Sequence, residues 1–222
     1  MNDIRTQYDE FAQDFSVNQE EKNQINRFEM RSMTGTDLTN QKVLDLACGD
    51  GIDAEYYRTI GATVVGLDAS QSLIDIAKTK YPSVEFIQGF AENIPFENNS
   101  FDAVFTKYAI MTSPDMKQIF NEMFRVLKPG GLLVYLVTHP FRQFIERKKL
   151  ASDYFKQVIV DCLILEGTVE LKEPTHTMNE YFNLDFFSKF EMIDYKEVWD
   201  PAAEQINGGK YPGFFIVKAK KK

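Results

Sequence analysis

The segment that most narrows the possible folds is Val43-Leu44-Asp45-Leu46-Ala47-Cys48-Gly49-Asp50-Gly51-Ile52-Asp53-Ala54. A short apolar run enters a loop with two glycines, and a helical spacing follows from about Ile52 to Ile60. Gly49, Gly51 and Ala54 satisfy G-x-G-x-x-A, and Asp68 lies nineteen positions after Gly49, at the end of the β-branched run Thr63 to Leu67. Glycines let a backbone approach a ligand closely, and an acidic residue at that spacing accepts both hydroxyls of a ribose. A ribonucleoside-bearing cofactor is therefore the natural occupant.

The rest of the chain extends this strand–loop–helix unit. Ser70 is placed to cap a helix through Lys80, and Tyr81-Pro82 stops it. Val84 to Ile87 and Phe101 to Thr106 read as further strands, a helix is predicted from Pro114 to Leu127, and Lys128-Pro129-Gly130-Gly131 reads as a tight turn into a strand at Leu132 to Val137. A helix from about Met178 to Phe190 and strands at Met192 to Val198 and Phe214 to Lys218 complete the pattern. The predicted fold is α/β: a doubly wound, mostly parallel seven-stranded sheet with helices on both faces and a small cap. One domain over 1–222 is expected, with N-terminal helices in 1–39, a cofactor-binding core in 40–139, a cap insertion in 140–176, and a C-terminal helix and last strands in 177–222. Ligands of such sheets bind beyond the carboxyl ends of the strands, near the topological switch point.

Charge and cysteine content limit the partners. Of 222 residues, 25 are Lys or Arg and 33 are Asp or Glu, a net charge of −8, which argues against holding nucleic acid by neutralising phosphates. Cys48 and Cys162 stand far apart and suggest neither a disulfide framework nor a metal cluster. No apolar run approaches the ~18 residues of a membrane helix. A cytoplasmic protein, monomeric or homodimeric, without membrane or metal, is the expectation. The basic piece Arg142, Arg147, Lys148, Lys149 and the tail Lys220-Lys221-Lys222 read as solvated faces.

Three details favour S-adenosylmethionine over a dinucleotide. Asp45 lies inside the strand before the loop, where a carboxylate can attract an ammonium. Asp50, between the glycines, would repel a pyrophosphate but suits a cationic amino-acid tail. The sequences Gln88-Gly89-Phe90-Ala91-Glu92 and Lys128 to Gly131 fall where nicotinamide or flavin binding does not call for them.

Taken together, residues 42–138 resemble the core of a class I, Rossmann-like S-adenosylmethionine-dependent methyltransferase of the small-molecule type. Val43 to Gly51 resembles that family's first motif, Val65 to Ser70 its ribose-binding motif, Phe101 to Val104 the start of its fourth strand, and Glu122 to Gly131 the turn into its fifth. The resemblance implies that the backbone of Ala47, Cys48, Gly49, Asp50 and Gly51 lines the methionine and ribose, with S-adenosylhomocysteine as product. It implies that Asp68 holds the ribose hydroxyls, Ala69 flanks the adenine, and Phe90 and Ala91 meet its other side. Many relatives carry an acidic residue where Phe90 stands, so adenine recognition shifts to stacking, backbone groups or Glu92. Thr106, Lys107 and Tyr108 would reach the methionine end. Tyr8-Asp9-Glu10-Phe11-Ala12 resembles a Y-D-x-x-A lid helix, with Tyr8 able to touch cofactor or acceptor.

His139, directly after the fifth strand, and His176 are the candidate general bases, with Tyr8 beside them. Plainer structural roles stand alongside: Asp45 satisfying loop amides, Asp68 as a helix N-terminal charge, Phe90 and Tyr8 as core, Lys107 as a strand end, and the histidines as turn and cap residues. The reading favoured by the sequence is methyl transfer to an N or O atom of a small metabolite. Protein or RNA methylation on the same fold, and cofactor binding without catalysis, are the alternatives. A nicotinamide oxidoreductase is disfavoured by Asp45 and Asp50.

Overall fold

β1 (Lys42–Leu46) sits mid-sheet, paired in parallel with β2 (Thr63–Asp68) on one side and β4 (Phe101–Lys107) on the other. The computed structural model describes residues 4–22, 24–146, 153–164, 169–201, 205 and 207–222. β3 (Glu85–Gln88) extends the sheet beyond β2, and β5 (Leu127–Thr138) beyond β4. β9 (Phe214–Lys221) then runs antiparallel between β5 and the edge strand β8 (Phe190–Val198), which gives the order β3-β2-β1-β4-β5-β9-β8. The chain leaves β1 for one side and returns to β4 on the other, so the switch point opens beyond the carboxyl ends of β1 and β4, where doubly wound sheets hold ligands.

Alternation along each strand divides the core in two. Leu44, Leu46, Val104 and Tyr135 face α5 (Met116–Val126), α7 (Met178–Tyr181) and α8 (Leu184–Lys189). Val43, Phe105 and Val134 face α2 (Gln24–Thr34), α3 (Ile52–Thr59) and α4 (Gln71–Lys80), contributing Met30, Tyr57 and Ala77. α5 presents Ile119, Phe120, Met123 and Val126 at helical spacing to the first core. N-terminal to the sheet lie a 3₁₀ segment (Ile4–Asp9) and α1 (Ala12–Lys22). After β5 come α6 (Pro140–Glu146) and a separate antiparallel hairpin, β6 (Ile159–Ile164) with β7 (Val169–Pro174).

Several predicted boundaries move for local reasons. The cap of α5 is Asp115, whose carboxylate accepts the Gln118 amide, so Pro114 precedes the helix instead of opening it. The helix expected from Met178 to Phe190 is two: Asn183 accepts the Phe186 amide and starts a new turn, and Phe190 already belongs to β8. Lys128 to Gly131 is drawn into β5, with Gly130 at φ 75° and the register against β4 shifting between Phe101 and Ala103. Ser70 does cap α4, accepting from Leu73 at 3.1 Å. Arg147, Lys148 and Lys149 lie outside the described residues.

The tail is not a solvated face throughout. Lys221 is buried on β9, and its ammonium donates to the carbonyls of Phe124 (2.7 Å) and Leu127 (2.6 Å) and to Asn99 Oδ1 (3.0 Å). A cation there satisfies carbonyls that the end of α5 leaves unbonded. Lys221→Met keeps the stem and removes all three donors, so chemical denaturation should show a loss of about 2 kcal/mol, the scale of hydrogen bonds to a charged group. Lys222→Met, at the next position, should change stability far less.

Candidate cofactor and acceptor site

The loop after β1 takes its shape from left-handed backbone at Ala47 (φ 59°), Gly49 (φ 55°) and Gly51 (φ 84°). At Gly51 a Cβ would fall 2.6 Å from the Phe86 ring, so glycine is required twice over, by conformation and by space. Asp68, at the end of β2, fixes the loop from outside. Its Oδ2 accepts the Gly49 amide at 2.8 Å and its Oδ1 the Ser70 amide at 2.9 Å. Burial pushes the Asp68 carboxyl up, while these amides pull it down. The Ala69 amide bonds the carboxylate as well, so three backbone amides orient it toward the loop opening.

Asp45 points to the α3 face. It accepts the Ala54 amide, but its Oδ2 is buried with no hydrogen-bond partner among the described residues. Burial, then the nearby Asp53, push its carboxyl well above the usual range, while Lys107 pulls it down. An orphaned buried carboxylate oxygen beside the glycine loop suits a cationic group. The donor set therefore fits S-adenosylmethionine: Asp68 for the ribose, the open loop backbone, and Asp45 for the ammonium. Cys48 contributes only backbone to such a site, since its thiol lies toward Gly66, where a Cβ would approach Sγ to 2.9 Å.

Two expected cofactor contacts are otherwise engaged. Asp50 faces away from the loop opening: its Oδ2 receives Lys80 Nζ at 2.8 Å and Ser16 Oγ at 2.9 Å. It fastens α1 and α4 together, and its position between the glycines is no sign of contact with a cationic tail. Lys107 shares Asp53 with Arg27 and Arg31, at 2.6, 3.1 and 3.0 Å. The strand alternation that puts Lys107 on the α3 face delivers it to Asp53 and not to a free strand end. Burial would raise the Asp53 carboxyl, but Lys107, Arg27 and Arg31 hold it at about 2.

On the adenine side, Ala69, Phe90, Ala91 and Glu92 are all half-buried. The Ala69 carbonyl accepts Gln88 Nε2 at 3.0 Å, the Glu92 carbonyl accepts Gln118 Nε2 at 3.0 Å, and Ala91 packs on the core. Above the loop, Phe15 rests on Gly49, and Tyr8 meets Phe15 edge-on at 5.4 Å. Burial, then Glu173 of β7, raise the Tyr8 hydroxyl. Gln7 completes this cover by bonding both the amide and the carbonyl of Lys172.

Both histidines have their ring nitrogens engaged by the protein. His139 Nδ1 accepts the Phe141 amide at 3.1 Å, and Nε2 faces Glu197 at 3.2 Å; burial pushes the ring down from its usual value despite Glu197. It starts α6. Both ring nitrogens of buried His176 face acceptors, the Met111 carbonyl (3.1 Å) and Glu180 (3.2 Å). The expected general bases are thus replaced by two positioning residues. Two further residues lie at the same end of the sheet: Tyr108, expected with Thr106 and Lys107 to reach the methionine end, and Gln143, missed as a site candidate. Tyr108 has a left-handed φ of 58°, uncommon for a bulky residue, and its hydroxyl bonds the Asn26 side chain. Gln143 is buried on α6. The sequence neighbourhood of Gln143 marks it only as a helix position.

A family profile described as "Methyltransferase domain" matches residues 44–135. The demethylmenaquinone methyltransferase of Chlorobaculum tepidum is 40% identical over 119 residues, 53% of this chain and 49% of that one. A phthiotriol/phenolphthiotriol dimycocerosates methyltransferase of Mycobacterium ulcerans is 32% identical over 167 residues, 72% of this chain and 62% of that one. The crystal structure of an S-adenosylmethionine-dependent methyltransferase from Mesorhizobium loti superposes with a TM-score of 0.67 at 19% identity, covering 86% of this chain and 95% of that one. The chain spans about half the length of the first curated relatives it matches.

The Asp53 cluster yields a pH test. A carboxyl lowered from 3.8 to about 2 in the folded state contributes stability that is present above pH ~4 and is lost as pH falls toward 2. Asp53→Asn should therefore cost about 2 kcal/mol at pH 7 in urea denaturation. The gap from wild type should shrink between pH ~4 and ~2.

Proposed function

We propose that this chain, whose residues 44–135 form a class I S-adenosylmethionine-dependent methyltransferase domain, transfers a methyl group to an N or O atom of a small, planar or apolar acceptor. The observation that carries this reading is Asp68, aimed by the Gly49 and Ser70 amides at the opening of a left-handed glycine loop. The names of curated relatives, which include demethylmenaquinone as a substrate, support a small-molecule acceptor.

S-adenosylmethionine, when bound, supplies a methyl group on a sulfonium that is already a good leaving group. What remains for the chain is to bind, align and dry the site. Asp68 holds the two ribose hydroxyls and so fixes the cofactor's rotation. Asp45 Oδ2 accepts from the ammonium, which relieves its own burial. Tyr8 and Phe15 cover the loop and exclude water. Because His139 and His176 have both ring nitrogens engaged, the accepting atom attacks in line with its own lone pair. Any proton it carries leaves to solvent after the methyl has transferred.

Calorimetry tests the cofactor directly. S-adenosylhomocysteine should bind wild type, and NAD should not; tight NAD binding with none for S-adenosylhomocysteine refutes the proposal. Asp68→Ala removes two charge-assisted hydrogen bonds and should weaken S-adenosylhomocysteine on the order of a hundredfold. His139→Ala and His176→Ala should act mainly on thermal stability.

A further inference from the structure

α6 leaves β5 at the ligand edge, and its faces can be assigned in turn. Phe141 is exposed. Arg142 and Glu146 pair with each other at 3.0 Å, and they engage Asp200 and the Tyr211 hydroxyl of the β8–β9 connection. Phe144 meets Tyr154 edge-on at 6.0 Å on the opposite side. The remaining face carries Pro140 and Gln143, both buried, and looks inward between these two flanks. Tyr108 lies at this end of the sheet, within electrostatic reach of Asp200, Arg142 and Glu173.

Gln143 is only 6% exposed, yet neither its Oε1 nor its Nε2 has a hydrogen-bond partner among the described residues. Burying an unpartnered carboxamide is costly, and a leucine or methionine of similar volume would fill the position without that cost. A buried polar group left unpaired on the inner face of a cap over a ligand site has a use when the ligand arrives. A carboxamide offers one donor and one acceptor side by side, and exchanging its two terminal atoms preserves the pair.

We propose that Gln143 reads the methyl acceptor, and that this acceptor presents a hydrogen-bond donor and acceptor on neighbouring atoms, as a lactam edge or a hydroxy-carbonyl pair does. The proposal rests on the methyltransferase reading and names the substrate class of that same site. Sites that hydrogen-bond a substrate in this way strongly reject analogues lacking the group, because the buried partner is then left unpaired.

The test uses the full chain saturated with S-adenosylhomocysteine and the fused-ring lactam 2-quinolone as probe, with 1-naphthol as a similar-sized control carrying a single hydroxyl. By calorimetry, 2-quinolone should bind wild type at least tenfold more tightly than 1-naphthol. Gln143→Leu should abolish that preference while leaving S-adenosylhomocysteine affinity within twofold. The same variant should melt at or above the wild-type temperature, since it buries no unpaired amide. Gln143→Met, closer in length, gives the same reading should the leucine variant not fold. Equal binding of the two probes by wild type, no 2-quinolone binding, an unchanged preference in the variants, or a lowered melting temperature in both would each overturn the proposal. Failure of wild type to bind S-adenosylhomocysteine would instead remove the methyltransferase reading on which it stands.

Discussion

The bond from the Gly49 amide to Asp68 Oδ2 joins the loop after β1 to the end of the neighbouring strand β2, beside the switch point. It works beside the Cys48 amide, which donates to the Leu67 carbonyl of β2 at 3.1 Å. With both, the loop is a fixed surface whose position is set by the pairing of β1 with β2. The other carboxylate oxygen takes the Ser70 amide, and Ser70 in turn caps α4 and donates to Asp9 at 2.6 Å. One acidic side chain thus sets the loop, the helix start and, through Ser70, the seat of the N-terminal segment.

Carboxylates make most of the ties between the core and what lies over it. Asp9 accepts from Ser70 and Ser72, Asp50 joins Ser16 and Lys80, and Asp53 gathers cations from α2 and β4. These pairs are buried or half-buried, where salt screens little and a lost partner leaves an uncompensated charge. They give Asp9, Asp50 and Asp53 a specific task, assembling the ligand edge.

The parallel strands, their order of appearance and the glycine loop were legible in the sequence because each depends on local pattern: apolar runs of strand length, Gly at left-handed positions, Ser70 as a cap. What escaped depends on direction. Asp50 looked like a ligand contact because position in the motif says nothing about which way a side chain turns, and Lys80 claims it from thirty residues away. The histidines looked like bases because residue type carries chemistry but not occupancy; their partners, Glu197 and the Met111 carbonyl, are 58 and 65 residues distant. Gln143 gave no signal, since only burial reveals that its amide is unsatisfied. Lys221 misled in the opposite sense, as its charge suggested water although its neighbours in space are carbonyls.

The antiparallel insertion of β9 between β5 and β8 has a consequence for synthesis. Among the described strands β8 pairs with β9 alone, and β5 pairs with β4 and β9. While the chain emerges from the ribosome, the free edge of β5 and the whole of β8 await a strand made after both. Until residues 214–221 arrive, the unpaired edge of β5 and the backbone of β8 stand open to other chains, a recognised route to aggregation. The step that pins Lys221 under α5 is also the step that covers the edge of β5 and leaves β8 as the edge strand.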